Sequence, residues 1–158
     1  MPNGAIGREA IYAALFAQLN ATLLSANGGP FNYSSRRYQP LGSLSTSQYP
    51  AFFLVERGEM YDRKHLWAPA KVSLLAHVVI QSAIGIDPNV VTATEVNDLA
   101  DAVESAVGVP SWTKQPTPLL GLVQIAWING REIVVPGSIK QQYSEQDLEV
   151  ELILPHAY

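Results

Sequence analysis

Three histidines, His65, His77 and His156, are the first candidates for proton transfer or metal ligation in this chain. No two of them stand at i, i+2 or i, i+4, so the sequence holds no local metal-binding motif. His77 lies among Leu75, Val78 and Val79, which favours a packed, hydrogen-bonded histidine in a core or an interface. Ser111-Trp112-Thr113-Lys114 spells S-x-x-K, the pattern of serine acyl-enzymes. That chemistry needs the serine at a helix N-terminus with the lysine one turn on. Pro116 and Pro118 forbid that helix, and the companion S-D-N and K-T-G motifs are missing, so the match reads as chance. Among carboxylates, Asp98 and Asp101 share a helix edge and Glu149 and Glu151 share a strand face; both pairs read as solvated polar faces. There is no P-loop, dinucleotide glycine pattern, G-x-S-x-G or H-E-x-x-H. Cysteine is absent, which excludes disulfides, Cys-ligated zinc, iron–sulfur clusters and thiol catalysis together. These residues argue against an enzyme and imply no cofactor and no metal.

The elements that must position these residues alternate between two periods. Ile6, Ala10, Ile11, Ala14, Leu15, Leu19 and Leu23 recur at three- and four-residue steps and predict a helix stopped by Asn27-Gly28-Gly29-Pro30. A polar, extended stretch follows from Phe31 to Tyr38, then a loop rich in Ser, Gly and Pro up to Pro50. Ala51 to Arg57 and Lys71 to Ser82 predict strands, separated by a mixed-charge loop from Gly58 to Pro69. Thr92 and Glu95 have capping-box spacing ahead of a second helix whose apolar face is Val96, Leu99, Ala100, Val103 and Val107. Gly108 and Pro110 end it, and Pro110 to Pro118 is a connector. Gly121 to Ile128 and Arg131 to Val135 read as a hairpin joined by Asn129-Gly130, the favoured type I′ pair. Asp147 to Leu154 is a last strand, with Leu148, Val150, Leu152 and Leu154 facing one way and Glu149 and Glu151 the other.

This order predicts an α+β fold in a single domain over residues 1–158: a mostly antiparallel mixed sheet with two helices packed on one face, an α/β sandwich. Two strands are apolar on both faces. Val72, Leu74, Val78 and Ile80 alternate with Leu75, His77 and Val79; Val123, Ile125 and Trp127 alternate with Leu122, Ala126 and Ile128. The helices cover one face only, so the other needs a lid, and a neighbouring subunit is the economical one. Composition points the same way. Hydrophobic residues are 47% of the 158, whereas charged residues are only 15%, against about 25% in typical domains. Interface cores are depleted in charge. The first apolar stretch, Ala10 to Ala17, is too short to span a bilayer and lacks the flanks of a signal peptide, so no membrane partner is expected.

Charge is also segregated along the chain. Arg36, Arg37, Arg57, Arg63, Lys64 and Lys71 outnumber the acids of their region, while Asp87 to Glu104 and Glu145 to Glu151 hold acids and no base. A net charge of -4 excludes a generally basic nucleic-acid binder. The functional reading is a self-complementary surface for head-to-tail association, which closes into a ring when the rotation permits. The doublet Arg36-Arg37, flanked by Tyr33 and Tyr38, is also a candidate for touching a phosphate backbone. Trp67, Trp112 and Trp127 read as core or interface anchors.

Several words of the sequence carry a resemblance: R-E-A-I-Y-A-A-L-F-A-Q-L (Arg8 to Leu19), S-R-R-Y (Ser35 to Tyr38), P-A-F-F-L-V-E (Pro50 to Glu56), a Trp-bearing loop (Trp67), E-V-N-D-L-A-D-A-V-E-S-A-V (Glu95 to Val107), G-L-V-Q-I-A-W-I-N-G (Gly121 to Gly130) and D-L-E-V-E-L-I-L-P (Asp147 to Pro155). In this order they resemble the tail terminators of tailed bacteriophages, the tail-completion or minor tail proteins of the head–tail junction. The resemblance implies a virion protein, assembled in the host cytoplasm, that forms a homohexameric ring on the head-proximal end of the tail tube. Such a ring ends tube polymerisation and presents a docking surface to the head connector. Its partners would be copies of itself, the tail tube protein and the connector, with genomic DNA passing through the lumen unbound. No catalytic residue carries over. The long charged loops are the expected subunit or partner contacts, with Arg36, Arg37, Arg63, Lys64, Trp67 and Trp112 as candidate residues. The alternatives are a head-completion stopper or connector of the same junction, a small ligand-binding domain or enzyme with a pocket between helices and sheet, and an adaptor that binds one partner through the apolar sheet face.

Overall fold

A computed structural model describes residues 7–63, 71–83, 92–108, 123, 125–135 and 142–154. Helix α1 (Arg8–Leu23) leads into a short 3-10 turn and strand β1 (Tyr33–Ser35); a second 3-10 turn precedes β2 (Ala51–Asp62). Then follow β3 (Lys71–Ala83), α2 (Thr92–Val107), β4 (Ile125–Val135) and β5 (Tyr143–Ile153). The five strands form one sheet in the order β1-β2-β3-β5-β4. The β1–β2 pair is parallel and the other three pairs are antiparallel. The fold is therefore α+β with a mixed, mostly antiparallel sheet, as the alternation of periods predicts.

Both helices lie on one face of that sheet. Ile11, Tyr12, Leu15, Leu19 and Leu23 of α1, and Leu99, Ala100, Val103 and Val107 of α2, pack onto one core. The sheet contributes Phe52 and Leu54 from β2, Leu74, Ala76, Val78 and Ile80 from β3, and Leu148, Val150 and Leu152 from β5. The predicted face of α2 is buried residue for residue. In α1, Tyr12 takes a buried place that the period assigns to no residue, while Ala10 is exposed. The Tyr12 hydroxyl donates to the Leu75 carbonyl at 3.1 Å and tethers the helix to β3. Gln18 Nε2 donates to the Ala106 carbonyl at 2.7 Å and ties the helices to each other. Phe52 is fully buried and sits edge-on to Phe31 and Phe16, a favourable aromatic arrangement.

Three elements depart from the sequence reading. The pair Asn129-Gly130 makes no hairpin: β4 runs straight through it. A type I′ turn needs positive φ at both central residues, and Gly130 is not among the described glycines with positive φ. Instead Ile128 pairs with Val150 and Gly130 with Glu149, so Asn129 is the extra residue of a bulge. β2 continues past Arg57 to Asp62 by the same device. Glu56 pairs with Ala76 and Gly58 with Leu75, and Gly58 supplies φ 125°, which side-chain-bearing residues rarely adopt. The residues Gly58 to Asp62 are thus strand, where the sequence suggests loop. β5 begins at Tyr143, four residues earlier than its apolar alternation predicts, because Tyr143 to Gln146 ladder onto β3 from Ala83 to Ile80. The connector Pro110 to Pro118, with Trp112 and the S-x-x-K run, lies outside the described residues.

Candidate interaction surfaces

The face of the sheet away from the helices divides in two. At one end the chain supplies its own lid. Leu44 and Tyr49, from the segment before β2, pack with Ala51, Phe53 and Val79, joined by Tyr33, Val55, Ala83 and Tyr143. Part of the second apolar face is thus covered from within the chain. The remainder is polar and acidic, because alternation along β5 puts Glu145, Asp147, Glu149 and Glu151 on it together.

These four acids are not a uniformly solvated row. Glu151 is 5% exposed. Its carboxylate accepts from Ser73 Oγ at 3.2 Å and Asn129 Nδ2 at 3.1 Å, with Lys71 Nζ at 3.4 Å, so it joins β3, β5 and β4. Glu145 is also buried and accepts from the Tyr38 hydroxyl and from Gln81 Nε2, both at 2.9 Å. Burial and the Glu145 charge push the Tyr38 phenol up to about 12. Asp147 and Glu149 flank His77: Asp147 Oδ2 is 3.5 Å from Nδ1 and Glu149 Oε2 is 3.8 Å from Nε2. Burial raises the Asp147 pKa; the His77 charge opposes this, and Glu145 and Glu132 add to it. His77 is half-buried, as a packed histidine would be, but its ring lies between two carboxylates on the sheet surface. Alternation in the sequence places Glu149 and Glu151 together. It carries no sign that Lys71, Ser73 and Asn129 converge on one of them.

The candidate contact residues fall into distinct situations. Arg36, just past β1, directs its guanidinium to Glu9 in the first turn of α1 and to Glu56 on β2. That hydrogen bond holds the Glu9 carboxyl below its usual range. Arg37 is exposed, and no described carboxylate pairs with its guanidinium. Arg63 is exposed directly after β2. Lys64, Trp67 and Trp112 lie outside the described residues, as do His65 and His156. Two further clamps escape sequence reasoning because they join residues far apart in the chain: Arg8 with Glu59 at 2.7 Å, and Arg131 with Asp101 at 2.9 Å and also with Glu104.

A cleft of about 300 Å³ opens where Thr46, Tyr49, Pro50, Ala83, Glu95, Gln142 and Tyr143 meet. Its described lining offers one carboxylate and no histidine, lysine or arginine, so it presents no acid–base pair. Among the described residues no cluster of three His, Asp or Glu is placed to hold a metal ion, and no helix is long and apolar enough to cross a membrane.

No protein-family model matches this chain, and no curated protein sequence matches it. The fold does have a solved counterpart. The chain is similar to one chain of the virion of a native gene transfer agent (GTA) particle, with a TM-score of 0.53 and 14% identity over 96% of this chain and 98% of that one. At that identity the likeness is one of fold, and it runs essentially end to end.

Proposed function

We propose that this protein is a structural component of a tailed, phage-like virion, and that within it the chain acts as a tail terminator. In this role copies of the chain form a ring at the head-proximal end of the tail tube, stop tube growth and offer the head connector a docking surface. The observation that carries the reading is the near-complete fold match to a virion-particle chain. It coincides with the tail-terminator words distributed from Arg8 to Pro155. The composition supports it, since a ring subunit covers much of its surface with lateral neighbours and needs few charges.

The test is the solution mass of the purified protein by light scattering across concentration, with negative-stain images of the largest species, followed by mixing with isolated tails and isolated heads. Closed rings that cap tails are the expected result. Capping of heads in place of tails would move the protein to the stopper level of the same junction. A monomer that binds neither particle would refute a neck role.

A further inference from the structure

The segregation of charge along the sequence becomes a segregation in space across the sheet. The strand order puts β1 and β2 at one side and β5 and β4 at the other. On the β1–β2 side, Arg37 and Arg57 are exposed and no described carboxylate pairs with either; the acids Glu9 and Glu56 beside them are held by Arg36, and Glu59 by Arg8, while Asp62 at the far end of β2 is a further exposed acid. On the β4–β5 side, Glu132 is exposed, Glu149 is half-exposed, and the single arginine, Arg131, is turned back onto Asp101 and Glu104 of α2. β4 is the terminal strand of the sheet and is 11 residues long. Next to its charges it exposes two adjacent apolar residues, Ile133 at 50% and Val134 at 46%. Val134 is the extra residue of a second bulge in β4, between Ile133 and Val135, so two adjacent apolar residues stand exposed at this edge and are available to be covered by another chain.

We infer that the β4 edge of one copy docks against the β1–β2 edge of a second copy, so that Glu132 and Glu149 meet Arg37 and Arg57 of that copy and Ile133 and Val134 are covered. The occupant is another copy of this chain because both halves of the complementarity are carried by the same sheet, at opposite edges. Such a contact is heterologous: each subunit uses one edge to give and the other to receive, and repetition generates a ring or a filament. The charges set register and direction, while the apolar pair supplies burial. The inference rests on the ring reading above only for closure, since the edge contact itself needs no tail tube.

The test is a charge-swap series read by light scattering, with thermal unfolding as the check that each variant folds. Arg37→Glu/Arg57→Glu and Glu132→Arg/Glu149→Arg are each expected to weaken association by about tenfold or more, because every contact then opposes like charges. An equimolar mixture of the two variants is expected to recover association, since each acidic edge then meets a basic one, and the fourfold variant is expected to recover it alone. Val134→Lys is expected to weaken association without rescue. Parent-like association of both charge variants would overturn the edge contact and leave the ring reading standing. Loss of association with no recovery on mixing would overturn it likewise. A parent protein that stays monomeric both alone and on tail tubes would overturn the edge contact and the ring reading together.

Discussion

Replacing Glu151 by leucine tests whether the open face of the sheet is held by a satisfied buried carboxylate. Three donors converge on it, and their exposures decide the magnitude. Ser73 is 1% exposed, so its hydroxyl loses its acceptor and finds no water; a buried unsatisfied hydroxyl costs about 1–3 kcal/mol. Asn129 is exposed and the Lys71 side chain is 41% exposed, so both rehydrate, and their pairing is worth at most about 1 kcal/mol. Glu151→Leu is therefore expected to cost about 2 kcal/mol, a fall in Tm of roughly 4–8 °C for a chain of this size. Adding Ser73→Ala is expected to recover at least half of that loss, because removing both partners of a buried hydrogen bond leaves nothing unsatisfied. Lys71→Met alone is expected to cost about 1 kcal/mol, since the carboxylate keeps two donors. Calorimetry or denaturant unfolding of the parent, the single variants and the double variant reads the cycle. Additive losses from Glu151→Leu and Ser73→Ala, or no loss from Glu151→Leu, would refute the reasoning.

Arg36→Ala is expected to lower Tm and Arg37→Ala to leave it unchanged, because Arg36 bridges α1 and β2 whereas Arg37 pairs with no described carboxylate; equal effects in thermal unfolding would contradict the clamp. The Glu9 contribution to that clamp is complete above the ordinary value of 4.5 and is lost as the pH falls through its lowered folded value, so the difference between Arg36→Ala and parent narrows in acid. Tyr12→Phe is expected to cost about 1 kcal/mol in denaturant unfolding, since the hydroxyl bonded to the Leu75 carbonyl is lost from a buried site. Gly58→Ala is expected to cost about 1–3 kcal/mol, because its φ of 125° strains a side-chain-bearing residue at the β2 bulge even though open space surrounds the site. Asp147→Asn is expected to raise Tm at neutral pH. Burial raises the folded pKa of this acid, so its ionisation opposes folding as the pH rises through that value, and the gain disappears in acid.

The elements most legible in the sequence are those whose apolar period has one partner surface. The α2 face of Val96, Leu99, Ala100, Val103 and Val107 is buried as read, because a helix against a sheet needs one stripe and that stripe is local information. The β5 alternation is equally direct: Leu148, Val150 and Leu152 are in the core and the acids are opposite. What fails is local turn chemistry set against a long ladder. Asn129-Gly130 suits a hairpin, but β5 offers partners on both sides of it from Glu145 to Ile153, and the ladder prevails with a bulge absorbing the extra residue. The same holds at Gly58, where β3 draws β2 onward to Asp62. The polar surface is least legible. Arg8 with Glu59, and Arg131 with Asp101 and Glu104, join residues that only the finished sheet brings together.

Those clamps bear on the low charge of the chain. Arg8, Arg36, Lys71 and Arg131 all turn to carboxylates of their own molecule. A chain with 10 Lys and Arg against 14 Asp and Glu that commits cations to internal pairs leaves its remaining acids unbalanced. Two of them lie together on the open face: Glu149, half-exposed, and Glu132, exposed on the neighbouring strand. Burial, with smaller additions from Glu145 and Glu132, raises the pKa of Asp147 beside them against the opposing His77 ring. Unscreened like charges on one face repel each other, which costs stability in the isolated subunit. A neighbour that brings cations to that face relieves the repulsion, and Arg37 and Arg57 are the described cations with no described carboxylate paired to them, placed at the far side of the same sheet. Where the sheet pairs its charges within the molecule it fixes the fold, and where it leaves them exposed it offers the charges on which the proposed edge contact would act.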